Sequence, residues 1–169
     1  MKRFLSMVLI SMGLVASPLY AAQTVKMAVV SLEQILQNSK YAESLNADIR
    51  KQFQPRQNDV NEAQRKLQDE VDKYTFNSFS MTPDDRLKLQ QTITADKTSL
   101  DQMVAAFQKD YANAQAQAQT QFLKKLGEVI NKIGASEHYD IIERAANILY
   151  INGSVDITKQ VTDSMNSAS

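Results

Sequence analysis

The chain holds a single histidine, His138, and no cysteine among its 169 residues, so there is no disulfide and no thiolate nucleophile or metal ligand. No Ser/His/Asp or Cys/His nucleophilic arrangement is suggested by the spacing around that imidazole, and a zinc site would need unusual carboxylate ligation. No GxxxxGK loop is present to cradle phosphates, so ATP-driven action has no support. Carboxylates abound, but they fall on predicted helix surfaces rather than in a glycine-framed pocket. The sequence therefore predicts no catalytic residue, no cofactor, no metal and no enzyme, with His138 a surface turn residue. The residues that stand out by type are apolar. Tyr74, Phe76, Phe79 and Met81 place four large apolar groups within eight residues at a predicted chain reversal. Two readings compete there: Tyr74 ends a helical seam while the others cap the turn, or the four form an adaptable apolar tip that touches a binding partner.

The elements that carry this tip are long helices. Between Gly13 and Gly127 there is no glycine, and after residue 22 the only prolines are Pro55 and Pro83. Val25 to Val30 is a β-branched run and a predicted strand. Ser31 then offers an N-cap for a helix. Apolar positions step through Leu32, Ile35, Leu36, Leu45, Ile49 and Phe53, then Val60, Ala63, Leu67, Val71 and Tyr74. Pro55 is expected to kink or restart this helix. The break falls at residues 77–85, where Thr82 caps a second helix, Pro83 takes its first position, and Asp84 and Asp85 favour its positive end. That helix shows a heptad seam at Leu100, Val104, Phe107, Tyr111, Ala114 and Ala118. Its phase changes at Phe122, Leu126, Val129 and Ile133, a stutter that unwinds a left-handed supercoil. The helix is expected to end at Gly134 in a left-handed cap. Tyr139 to Glu143 and Asn147 to Ile151 then read as a β-hairpin, followed by a last helix over Ile157 to Met165 capped by Asp156 or Ser154. Two arms of this length reach about 65 Å each, which leaves too little chain for a self-sufficient body, so subunits should share a core.

Charge and processing narrow the setting. Lys2 and Arg3 precede an apolar run from Phe4 to Ala16, too short for the roughly 20 residues that span a bilayer and suited to a signal peptide cleaved after Ala21 or Ala22. Removing the two leader cations takes the basic count from 19 to 17 against 19 acidic residues, so no basic excess invites nucleic acid. Acid-before-base pairs at four-residue spacing (Glu62 with Lys66, Asp69 with Lys73, Asp84 with Lys88) predict solvated helix faces. The stretch from Tyr111 to Gln121 is rich in alanine and glutamine: a good helix former, or a neutral hydrogen-bonding lining.

The run VKMAVVSLEQIL, the reversal SMTPDDR and the segment EHYDIIERAANILYINGSVDITKQV, in that order after a leader, resemble the Skp/OmpH family of periplasmic chaperones. The resemblance implies an α+β, mainly α protein. A small β-containing trimerisation body would carry one long antiparallel coiled-coil hairpin arm per subunit, around a central cavity. On this division residues 1–22 are the signal peptide, 23–45 and 126–169 the body, and 46–125 the arm with its tip near 77–85. It also implies an ATP-independent holdase for unfolded outer-membrane β-barrel proteins, active as a homotrimer in the periplasm, with Tyr74, Phe76, Phe79 and Met81 as candidate client contacts. One departure is visible. Between Val60 and Asp110 the arm carries seven basic and nine acidic residues, where the family is often strongly basic, so contact with membrane lipid or lipopolysaccharide stays open. The competing reading is a non-enzymatic coiled-coil spacer or adaptor.

Overall fold

Capping chemistry starts the long elements where the sequence places it. In the computed structural model, which describes residues 25–167, Ser31 Oγ accepts from the Gln34 amide at 3.3 Å and Thr82 Oγ1 from the Asp85 amide at 3.2 Å. The order is β1 (Met27–Val30), α1 (Leu32–Asn38), α2 (Lys40–Asn77), α3 (Pro83–Glu137), β2 (Ile141–Arg144) and α4 (Thr158–Ser167), with 3-10 turns at Ala145–Asn147 and Gly153–Val155. At 1.5 Å per residue, α2 and α3 extend about 57 Å and about 82 Å, and they pack along each other as an antiparallel hairpin.

The first helix is interrupted at Ser39 and not at Pro55. Ser39 ends α1 and caps α2, its buried hydroxyl accepting from the Ala42 amide at 3.3 Å. Asn166 of α4 bridges the break: its Oδ1 accepts from the Lys40 amide at 2.8 Å and its Nδ2 donates to the Asn38 carbonyl at 3.2 Å. A residue 126 positions away thus holds the corner, which no local pattern announces. α2 runs unbroken through Pro55. Pro55 is exposed, so the carbonyl it leaves without a helical donor can turn to water.

The expected β-hairpin is also corrected. Only the first apolar run becomes a strand, and it pairs parallel with β1 in the register Met27↔Ile141 to Val30↔Arg144. The other edge of β1 bridges to Asp156, with the Ile157 amide donating to the Val29 carbonyl at 3.0 Å. After β2 the chain turns away: Glu143 Oε1 accepts from the Arg144 amide at 3.1 Å and from Asn147 Nδ2 at 2.8 Å. Residues 148–151 therefore leave the sheet instead of folding back on β2. The end of α3 moves too. Gly134 stays helical, and His138 takes the left-handed conformation (φ 56°, ψ 44°) while the Tyr139 amide closes on the Gly134 carbonyl at 3.0 Å.

The core lies at the root of the arm. Ala28, Val30, Ile35, Ala42, Ile157, Val161 and Met165 bury against Phe122, Leu126, Val129 and Ile133, the α3 residues that follow the change of heptad phase. Asp156 caps α4, its Oδ1 accepting from the Thr158 amide at 2.8 Å, and Thr158 Oγ1 accepts from the Ser31 amide at 2.8 Å. Replacing Ser39 with Ala should cost about 1 kcal/mol of stability by removing a buried cap. Urea unfolding of the Ser39→Ala variant checks this, and an unchanged midpoint would show that Asn166 alone secures the corner.

Candidate functional site

The hairpin tip is an ordered turn that leaves two rings in water. α2 ends at Asn77, and α3 starts at Pro83 after residues 78–82. The Ser78 amide donates to the Tyr74 carbonyl at 3.1 Å, and the Ser80 amide and hydroxyl both donate to the Asn77 carbonyl at 3.0 and 2.9 Å. Thr82 Oγ1 also donates to Asp85 Oδ2 at 2.8 Å. Backbone and small polar side chains make this turn; the aromatic rings are not needed to hold it. Phe76 is 78 % exposed and Phe79 95 %, whereas Tyr74 and Met81 are half-buried. The four residues picked out by type thus divide: Tyr74 closes the helix–helix seam, Met81 is partly covered, and Phe76 and Phe79 face solvent.

Lower on the arm the rings are consumed by packing. Phe53 meets Phe107 and Tyr111 edge-on at centroid distances of 5.7 and 5.3 Å, and Phe107 stacks on Tyr111 at 5.8 Å. Arg56 lies 5.6 Å over Phe53 and pairs with Asp110 at 2.8 Å. This cluster fastens the two helices beside Pro55. Of the predicted pairs along the helices, Lys66 instead reaches across to Asp96 on α3 at 2.7 Å, with Glu70 at 3.7 Å.

Two apolar surfaces escaped the sequence reading. A groove of about 310 Å³ opens at the arm root, lined by Leu36, Leu45, Ile49, Phe122 and Leu123, with Leu36 and Leu123 nearly half exposed. On the body, Leu149 and Tyr150 stand in solvent, and Ile141, Met27 and Val25 are also exposed. Their apolar character was visible in the sequence; their exposure was not, because the run was assigned to a hairpin strand. Glu143 anchors the turn before them. The hydrogen bond from Asn147, then that from the Arg144 amide, holds its carboxyl below the ordinary 4.5.

His138 is an exposed helix cap. Among the described residues no three metal-ligating side chains cluster, and no helix is long and apolar enough to cross a membrane. The predicted leader and its cleavage site lie outside the described residues.

The family described as "Outer membrane protein (OmpH-like)" matches residues 26–165. The chain belongs to this family. The OmpH-like chain is 24% identical to a chaperone protein Skp of Pectobacterium atrosepticum, over 89% of its own length and 92% of that protein's. It is 29% identical to a Skp-like protein of Pseudomonas aeruginosa over 98% of both chains. Its fold matches the crystal structure of a candidate OmpH-like outer membrane chaperone from Caulobacter crescentus with a TM-score of 0.76, covering 86% of each chain at 13% identity. Skp chaperones are non-enzymatic, in keeping with the single histidine and the solvated carboxylates of this OmpH-like sequence.

Because the Glu143 carboxyl is depressed in the fold, its contribution to the turn is present above the ordinary glutamate range. It is lost as pH falls through the lowered value. Asn147→Ala should move the Glu143 titration upward toward 4.5, followed by carboxyl-resolved NMR. An unmoved midpoint would assign the effect to the Arg144 amide alone.

Proposed function

We propose that this protein is an ATP-independent periplasmic holdase for unfolded outer-membrane β-barrel proteins, working as a homotrimer with its arms around a shared cavity. The observation that carries the reading is the pair Phe76 and Phe79, held in solvent at the end of an ordered, mostly polar arm in a member of the OmpH-like family. A ring that contributes nothing to its own fold is free to contact another chain, and two of them offer weak, exchangeable contacts suited to holding a client without folding it. Tyr74 and Met81 would widen this contact if the tip loosens. Trimerisation would draw on the exposed body surface at Leu149 and Tyr150, because a body of two short strands and arm-root helices leaves these side chains uncovered. The arms would flex near the phase change at residues 118–122, so that the cavity adapts to client size. Release would be passive, driven by the client folding into the membrane.

Diluting a urea-unfolded porin into buffer with the mature protein, without ATP, should suppress light scattering near one trimer per client. The near-neutral arm predicts low sensitivity to salt. Phe76→Ser, Phe79→Ser and Met81→Ser together should weaken client binding about tenfold, the scale of losing one or two partly buried apolar contacts; unchanged affinity eliminates the tip as a contact. Aggregation that proceeds unchecked by the unaltered protein favours the spacer reading. Separately, Leu149→Ser with Tyr150→Ser should shift sedimentation from trimer toward monomer at micromolar concentration, and an intact trimer in that variant would place the interface elsewhere.

A further inference from the structure

Two carboxyls occupy the distal seam of the arm, where apolar side chains are expected. Along α2 the half-buried positions step through Ala63, Leu67, Glu70 and Tyr74, and along α3 through Leu89, Ile93, Asp96 and Leu100, each by four, three and four residues. Val71, the apolar neighbour expected on the seam, is exposed while Glu70 turns inward. The glutamate side chain is 17 % exposed and Asp96 27 %, against 63 % for Lys66. Lys66 Nζ lies 2.7 Å from Asp96 Oδ2 and 3.7 Å from Glu70 Oε1. Glu70 Oε2 is buried with no hydrogen-bond partner. One ammonium thus serves two carboxyls, and it sits mainly on the Asp96 side.

Among the described residues, Lys66 is the only cation within 4 Å of the Glu70 carboxyl, and it is shared with Asp96 of α3. Lys73 and Lys97, the next cations along the two helices, make no ion pair with either carboxyl within 4 Å. With both carboxyls ionised, the layer holds an excess negative charge and an orphaned acceptor in a partly dry seam, an arrangement that pushes helices apart. One added proton supplies the missing donor and cancels the excess charge.

We infer that Glu70, Asp96 and Lys66 form a proton-operated clasp: taking up one proton tightens the distal half of the hairpin, and losing it loosens the segment that carries Phe76 and Phe79. Lys66 decides which charge survives mild acidification. The hydrogen bond and charge of Lys66 hold Asp96 below its usual range. The Lys66–Asp96 pair therefore survives mild acidification. Asp96 loses its stabilising charge only as pH falls through its own lowered value. Local stability should accordingly rise on mild acidification and fall in strong acid.

Hydrogen exchange of the mature protein alone, corrected for intrinsic rates, tests the clasp without any client. Peptides spanning residues 62–104 should be protected at least about threefold more at pH about 5.5 than at pH about 7.5, while body peptides change little. Glu70→Gln, whose amide supplies the donor permanently, should hold the acid level of protection at both pH values. Asp96→Asn should also remove the pH dependence, but at lower protection because Lys66 loses its partner. Wild-type protection that does not change with pH overturns the clasp. So does a Glu70→Gln variant less protected than the wild type at pH about 7.5, which would show the ionised carboxylate to be the stabilising form.

Discussion

The parallel pairing of Met27–Val30 with Ile141–Arg144 joins two segments separated by the entire hairpin, and the rest of the molecule depends on it. Lys26 marks the closure: its amide donates to Asp140 Oδ2 at 2.7 Å across 114 residues, and its ammonium lies 4.4 Å over the Tyr139 ring. Closing so long a loop from a random chain would be slow, although each doubling of loop length adds only about 0.6 kcal/mol. The arm resolves the difficulty. Once α2 and α3 zip together, Ile49 and Phe122 are already brought near each other, and the strands have only the arm root left to bridge. The β pairing is thus non-local in sequence and nearly local in space.

The same zipper sets where apolar surface ends up. Near the body the seam is dry, with Phe53, Phe122, Leu126 and Val129 buried. Past the Phe53–Phe107–Tyr111 cluster the layers thin to half-buried Leu, Ala and Tyr side chains, and one layer is carboxylic. Stability therefore declines from root to tip, since local opening follows the density of buried apolar contact. The exposed phenylalanines are carried on the end of the hairpin that opens most readily.

Much of this was legible in the sequence because the signals are local. A Thr-Pro-Asp-Asp start, a heptad seam and its change of phase are statements about neighbouring residues, and each stands where it was read. What was misread depends on distant partners. The corner at Ser39 needs Asn166. The run from Tyr139 pairs with β1, because period-two apolarity identifies a strand but not its partner. At the helix end the freedom of Gly134 at positive φ points to a cap there, yet the closing bond to its carbonyl is made one turn later, with His138 bearing the left-handed cost. Of the candidate site, the residue types and the seam position of Tyr74 are legible in the sequence, whereas the exposure of Phe76 and Phe79 is not, because a turn can cover or expose its rings. Val71 against Glu70 is the sharpest case, since hydrophobicity favours the first and heptad phase the second, and phase wins because the seam is continuous on both sides.

Exposed apolar groups at opposite ends of one molecule pose different physical problems. At the body, exposed Ile141 lies on an edge strand of a two-stranded sheet, a surface that a second chain can meet in one register, and Leu149 and Tyr150 follow that strand in the chain. At the tip, Phe76 projects from the last turn of α2 and Phe79 from a turn of serines and threonine, with no ladder of backbone donors to fix a register. Contacts there can form and exchange but cannot select one geometry. On the proposed reading this asymmetry separates assembly from client holding. Self-association uses the end where register can be specified, and client contact uses the end where it cannot, so neither surface competes for the other's partner.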